Sequence, residues 1–414
     1  MASSQIIALL IFVFTYLGIA LNGFPFVKLN RKTASFVGAV LMVICSVVSP
    51  QQALQSIDFN TIALLLGMMV IIAVLKLDGF FSFISRLTVS KAANASALLS
   101  LIVFITGFAS AFLVNDAVVL LFTPVIISIC KKSSLSPVPF LLGEIFSANA
   151  GSLMSITGNP QNMIIGINSA IPYGEFMLFM LPVALVSMLI IIWVIKKVYK
   201  NFDFKKPVDK QKELKSAAAK SMRISLTIFL LVITGFFIGK IIALPIPLIA
   251  LGGAGLMFVF SKHKGEDIFK EVDFSLLLFF ACLFVLVDAV KQSGVFNFVF
   301  TLSLSESMTS VCLLFLVSIV LSQLLSNVPY TVFMLPLMNA ANSKILWLTL
   351  AAGSTLAGNL TAIGAMANLI VLEQAESAGV KITAKEFSLP AVIITLLTSA
   401  AAILFLQIIT LIQG

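Results

Sequence analysis

Residues Ala97 to Lys132 read ALLSLIVFITGFASAFLVNDAVVLLFTPVIISICKK, two apolar arms on either side of Val114-Asn115-Asp116, with Pro124 nine residues past the Asn. Each arm is about 15 residues, roughly 22 Å as helix, and about 20 residues are needed to cross a bilayer core. Arg86 and Lys91 precede the stretch, and Lys131 and Lys132 end it. It therefore reads as a hairpin that enters a membrane from one face, turns near mid-depth and leaves by the same face. One long tilted helix with a polar kink is the plainer alternative. The hairpin tip puts an amide and a carboxylate inside the membrane. Backbone breaks there only against protein or a wet cavity, and an intramembrane carboxylate marks a functional site.

The rest of the chain agrees with a membrane setting. Of its 414 residues, 60% are hydrophobic and 10% charged, where a soluble domain carries about 25% charged. The net charge of +9 does not point to nucleic acid, because ten of the 26 Lys and Arg fall in one segment, Lys196 to Arg223. The others sit mostly between apolar runs, as in the positive-inside pattern. No Lys or Arg precedes the first apolar run, and Lys28, Arg31 and Lys32 follow it. The N-terminus therefore does not read as a cleavable signal. The four Cys are scattered and read as small buried hydrophobes. The single His, His263, lies in a charged loop. A His-based catalytic or metal centre is excluded, and so is a membrane enzyme, which would need a base and a nucleophile at membrane depth. No glycine loop of a primary pump occurs.

Apolar runs fall at 5–21, 35–49 and 57–77, followed by an amphipathic linker, 78–92, and the hairpin. The run 138–166 is interrupted by Ser147 to Asn162, and 173–195 follows. After the basic segment the runs are 224–240, 245–261, 274–291, an amphipathic stretch to 307, then 308–342, 345–373 and 388–411. Two of these are interrupted, at Leu325 to Pro336 and at Gly358 to Asn368. The halves repeat. Gly38, Asp58 and Gly79 recur as Gly253, Asp273 and Gly294 at an offset of 215; Asn115 and Pro124 as Asn327 and Pro336 at 212; Gly158 and Asn162 as Gly364 and Asn368 at 206. The expected fold is thus an all-α polytopic membrane protein. It has two inverted-topology repeats, 1–195 and 224–414, joined by a cytoplasmic basic linker, 196–223. Each repeat has five transmembrane helices and one re-entrant hairpin, with unwound mid-membrane helices. With both termini outside, nearly all Lys and Arg fall inside. A plasma (inner) membrane location follows. Paired broken segments in inverted repeats are the mark of a secondary transporter with its site at the repeat interface.

Four interruptions converge if the repeats face each other: tips at Asn115-Asp116 and Ser326-Asn327, and unwound segments at Thr157-Gly158-Asn159 and Asn359-Leu360-Thr361. A broken helix frees N–H groups that suit an anion and C=O groups that suit Na+ or a proton. The substrate-binding candidates are Asn115, Thr157, Gly158, Asn159, Asn162, Ser326, Asn327, Asn359, Thr361, Gly364 and Asn368. Asp116, whose counterpart is Val328, is the coupling candidate, with Glu144 as a second; each of these groups could instead be structural. Na+ near Asn115, Asp116 and Asn327 is the one metal or cofactor considered. No Arg lies in a broken segment, so an anion is expected to rest on helix ends and amides. Asp288 and Lys291 are spaced for a structural ion pair.

At these residues the chain resembles the ion transporter superfamily: arsenite permeases, divalent-anion/sodium symporters, citrate transporters, one type of Na+/H+ antiporter and the melanocyte P protein. AFLVNDAVVLLFTP, LSNVPYTVFMLP and NLTAIGAMANLIVL resemble the arsenite permease branch, and ITGNPQNMIIG the divalent-anion and P-protein branches. The resemblance implies a scaffold and a transport domain, elevator-type movement and, in several branches, a homodimer. The tips Val114-Asn115-Asp116 and Ser326-Asn327-Val328 depart from the Ser-Asn-Thr tips of sodium-coupled symporters, which shifts weight to proton coupling through Asp116. The expected partners are the lipid bilayer and a small inorganic or organic anion, arsenite-type or carboxylate-type, driven by H+ or Na+. A cation/proton antiporter is the alternative.

Overall fold

The computed structural model describes residues 3–20, 30–208, 220–295, 297 and 304–413. Lys28, residues 209–219 of the basic linker, and residues 296 and 298–303 of the amphipathic stretch before 307 lie outside the described residues. Every named element is a helix. The first half runs α1 (Ser3–Ala20), α2 (Arg31–Ile44), α3 (Pro50–Gln55), α4 (Phe59–Leu77), α5 (Phe80–Lys91), α6 (Ala95–Leu113), α7 (Asn115–Lys132), α8 (Val138–Ser152), α9 (Pro160–Ser169) and α10 (Tyr173–Val198). The second half runs α11 (Lys220–Ile238), α12 (Ile246–Phe260), α13 (Gly265–Lys270), α14 (Phe274–Ser293), α15 (Met308–Leu325), α16 (Asn327–Ala341), α17 (Lys344–Ala357), α18 (Met366–Ser377) and α19 (Ala384–Gln413). Among the described residues, seven helices are long and apolar enough to cross a membrane.

The repeat holds at the level of local chemistry. Asp58 caps α4 by accepting from the N–H groups of Asn60 and Thr61, and Asp273 caps α14 by accepting from Leu276. Both helices then end at a left-handed glycine, Gly79 at φ +79° and Gly294 at φ +73°; glycine takes that conformation without a Cβ penalty. Packing follows the same symmetry. α2 lies on α14 as α12 lies on α4, and α7 lies on α18 as α16 lies on α9.

The arms of the first hairpin are longer than the apolar run suggests. Asn94 caps α6 by accepting from Ala97 N–H at 2.9 Å, so the helix starts two residues earlier and has 19 residues. Its free N–H groups at Ala95 and Ser96 donate to the carbonyls of Lys206 and Phe204 at 2.9 and 2.8 Å. The first residues of the basic linker are therefore folded against α6. By length α6 could span a bilayer core. Its tip is tied into protein. Cys130 and Cys282 are buried, while Cys45 is exposed. The expected Asp288–Lys291 pair does not form; Asp288 Oδ2 accepts instead from Gln292 Nε2 at 2.5 Å. A carboxylate on a helix reaches i+4 as readily as i+3.

The basic residues expected on one face contact one another's neighbourhoods. Lys32 pairs with Asp273 at 2.6 Å, Lys76 with Glu271, and Lys206 Nζ donates to Ser134 O at 2.6 Å. His263 Nε2 lies 3.0 Å from Asp78 Oδ1. Lys344 and Glu175 pair separately, where α17 and α10 begin.

Candidate functional site

Both hairpins turn on a single residue with positive φ. Val114 sits at φ +60° and Ser326 at φ +67°, 212 residues apart. For a β-branched residue such as Val114 this is a strained conformation, and it persists only where surrounding contacts enforce it. Asn115 supplies those contacts: its N–H donates to Gly158 O at 3.0 Å and its Nδ2 to Asn149 Oδ1 at 3.2 Å. In the second hairpin Asn327 lies against Gly358 so closely that a Cβ there would come within 2.8 Å of its Nδ2.

The unwound segments are held by their own asparagines. Asn162 Nδ2 donates to Ser152 O and Ser155 O at 3.2 and 3.0 Å. Asn368 Nδ2 donates to Gly358 O and Thr361 O at 2.7 and 2.9 Å. Each amide thus satisfies carbonyls freed where the helix before it stops. Asn159 caps α9 by accepting from Asn162 N–H at 2.8 Å, and its Nδ2 donates to Ser152 Oγ at 2.7 Å. Bonds also cross between halves. Asn149 Nδ2 donates to Asn359 Oδ1 and Asn368 Oδ1, both at 2.9 Å, and Asn159 Nδ2 donates to Thr355 Oγ1 at 3.3 Å. Thr157 Oγ1 bonds Tyr173 OH at 2.9 Å and Thr361 Oγ1 donates to Gln323 Oε1 at 2.7 Å. Gly158 and Gly364 have no room for a side chain. A Cβ would lie 2.0 Å from Ser152 O and 2.9 Å from Gln323 Oε1 respectively.

In front of this framework lies a cavity of about 70 Å³. Asn115 and Asp116 of one tip line it, with Ser326, Asn327 and Val328 of the other. The first residues of both broken helices complete it: Pro160 and Gln161 of α9, and Ala365 and Met366 at α18. Arg31, Lys32, Leu276 and Phe279, from the starts of α2 and α14, form the remaining wall. The space accommodates a few water-sized bodies, well short of the roughly 300 Å³ of a drug-sized pocket.

The two helix ends differ in charge. Asp116 lies beside the backbone N–H of Ala367, in the first turn of α18. A carboxylate there complements the helix dipole. At α9 the corresponding position of the second hairpin is Val328, and no carboxylate stands in its place. Asn115 and Asn327 each keep a buried Oδ1 with no hydrogen-bond partner. At the rim, Lys32 Nζ donates to Asp273 Oδ2 at 2.6 Å and to Ser275 Oγ at 2.7 Å. Burial alone would raise the Asp273 carboxyl, but these bonds hold it below the usual carboxylate range.

Of the residues expected to bind substrate, Asn115, Ser326 and Asn327 face the cavity with Asp116. Thr157, Gly158, Asn159, Asn162, Asn359, Thr361, Gly364 and Asn368 build the framework behind it. Glu144 stands apart from the cavity on α8, wholly buried, where its Oε2 accepts from Thr123 Oγ1 at 3.0 Å. Asn149, Thr355, Gln323 and Arg31 were not among the expected residues. No arginine lies in a broken segment, as expected, but Arg31 of α2 lines the cavity.

A family model described as citrate transporter (CitMHS) matches residues 9–353. The chain belongs to this citrate transporter family. Proteins similar to it include a 46 kDa membrane protein of Mycobacterium leprae, 29% identical over 97% of this chain and 98% of the relative. The silicon efflux transporter LSI3 of rice is 29% identical over 86% of this chain and 87% of its own. A putative transporter, arsB, of Dictyostelium discoideum is 25% identical over 84% and 82%. The crystal structure of the Alcanivorax borkumensis YdaH transporter, described as having an unusual topology, has a similar fold: TM-score 0.56 at 13% identity, covering 98% of this chain and 96% of that one. This member of the citrate transporter family is accordingly a multi-pass membrane transporter and not an enzyme.

Proposed function

We propose that the chain is a secondary active transporter for a small anion or oxyanion-like solute, coupled to H+ or Na+ and working by elevator-type alternating access. The supporting observation is the cavity itself, where two hairpin tips and two helix N-termini meet with Asp116 among them. Its small volume favours a solute of a few heavy atoms over a tricarboxylate. The rice relative, named a silicon efflux transporter, points the same way, toward a small solute. Asp116 is the coupling group. It covers the α18 helix end when ionised and loses that attraction when protonated or when a cation takes its charge. In this reading the basic rim, with Arg31 and Lys32, faces the cytoplasm.

A second reading is a Na+/H+ antiporter. The observation that favours it is the oxygen set: Asp116 with the unpartnered Oδ1 atoms of Asn115 and Asn327, since hard cations take oxygen ligands. Thermal stabilisation of the purified protein separates the two. The panel is Na+, arsenite, arsenate, orthosilicate, sulfate, succinate and citrate, each at two pH values. A specific ligand raises the midpoint by mass action. A rise with one small anion, dependent on pH or Na+, supports the first reading and names the coupling ion. A rise with Na+ alone, opposed by acid, replaces it with the second.

A further inference from the structure

We infer that Arg31 binds the negative charge of the transported solute, which is therefore carried as an anion between α2 and the N-terminus of α9, where no carboxylate stands. The inference rests on the cavity being the substrate site.

Arg31 lines the cavity with the hairpin tips. It is 7% exposed, and its Nε is buried without a hydrogen-bond partner. Among the described residues no carboxylate lies within ion-pair distance of it, whereas its neighbour Lys32 is paired with Asp273. A buried guanidinium is unfavourable unless a counter-charge accompanies it. Asp116 lines the same cavity and Asp273 is paired with Lys32, but neither is within ion-pair distance of Arg31. Arg31 is the first residue of α2, at the positive end of the helix dipole, where a cation is disfavoured. A residue that breaks a local rule without local compensation is where function is expected.

The opposite wall provides the second half of a binding site. Pro160 and Gln161 begin α9 and face the same cavity. A helix N-terminus attracts an anion. At α18 a carboxylate, Asp116, meets that attraction; at α9 the equivalent position is Val328, Asn159 caps only the Asn162 N–H, and the Gln161 N–H and the dipole are left for a ligand. A planar guanidinium fork on one side and a helix end on the other suit two oxygens of one oxyanion. The unpartnered Oδ1 of Asn327 accepts from a hydroxyl of the same solute, so a partly protonated oxyacid meets all three groups.

The test uses the full chain in detergent and in proteoliposomes, with arsenite, arsenate, orthosilicate and sulfate as probes. Arg31→Gln should weaken binding of the responding anion about tenfold or more, while its ligand-free melting and any Na+ response stay near those of the wild type. Arg31→Lys should recover part of the affinity, because it keeps the charge without the fork. Equal anion affinity in wild type and Arg31→Gln overturns the assignment of Arg31 and leaves the transporter reading standing. No response of the wild type to any anion overturns both. Parallel loss of anion binding, Na+ response and ligand-free melting makes Arg31 structural, and the inference fails. If Arg31→Gln does not fold, phenylglyoxal decides. The chain has three arginines, Arg31, Arg86 and Arg223, and the anion should protect Arg31 alone, read by peptide mass. Absence of protection overturns the inference.

Discussion

Asn149 on α8 donates to Asn368 Oδ1 at 2.9 Å, while Asn368 donates in turn to the two carbonyls, Gly358 O and Thr361 O, that the end of α17 leaves free. One side chain from the first half thereby orients the amide that holds the unwound segment of the second.

Replacing Asn149 with Leu removes that control. The Oδ1 atoms of Asn359 and Asn368 lose their donor in a fully buried setting. An unsatisfied buried polar group costs about 1–3 kcal/mol, so a loss of roughly 2–4 kcal/mol is expected, read as a lower ligand-free melting midpoint. Asn327→Ala should behave oppositely, with melting little changed and ligand affinity lowered. A normal midpoint in Asn149→Leu would show that the cross-half bonds are incidental.

Gly158→Ala should yield little folded protein, because the added methyl would lie 2.0 Å from Ser152 O, a backbone atom that cannot move aside. Gly252→Ala has nothing within 4 Å and should fold as the wild type does. Size-exclusion profiles of the two variants check this.

The asparagines and glycines of the unwound segments were legible in the sequence because they break apolar runs and recur at matched positions. Their division into framework and cavity was not, since an amide serves the chain's own carbonyls or a ligand's oxygen equally well. Asn149 falls within the interruption Ser147 to Asn162, but it lies inside α8, three residues before the helix ends, so the sequence does not separate it from the break that follows. Arg31 was counted among the charges that set topology. Its position directly after the capping residue Asn30, with Lys32 beside it, was the available sign: two cations in a first turn oppose the dipole. The start of α6 was misjudged because Asn94, its cap, belongs to the polar side of the boundary.

Asp116→Asn keeps the shape of the tip and the cavity but removes the ionisable group. Exchange of solute between equal compartments should persist, and uptake driven by a pH or Na+ gradient should fall to background. Gradient-driven uptake at the wild-type rate in proteoliposomes would remove Asp116 from the coupling step.

The Lys32–Asp273 bond gives the rim a defined response to acid. The folded carboxyl lies below its unfolded value of about 3.9. Its contribution to stability is therefore complete above that value and is lost as pH falls through the folded one. Both side chains are partly exposed, 32% and 48%, so the effect is small. Lys32→Met should lower the melting midpoint by a constant amount from about pH 5 to 7, and the difference from wild type should shrink toward about pH 3.

A two-fold fold with identical halves would have two end states of equal energy, so an idle carrier would divide its time evenly between the faces of the membrane. Asp116 has no twin, and the place corresponding to Lys32 in the second half is Pro247. In the proposed alternating-access cycle the carrier is therefore a loaded balance: it leans toward one face before any gradient acts, and a gradient has to tip it the other way.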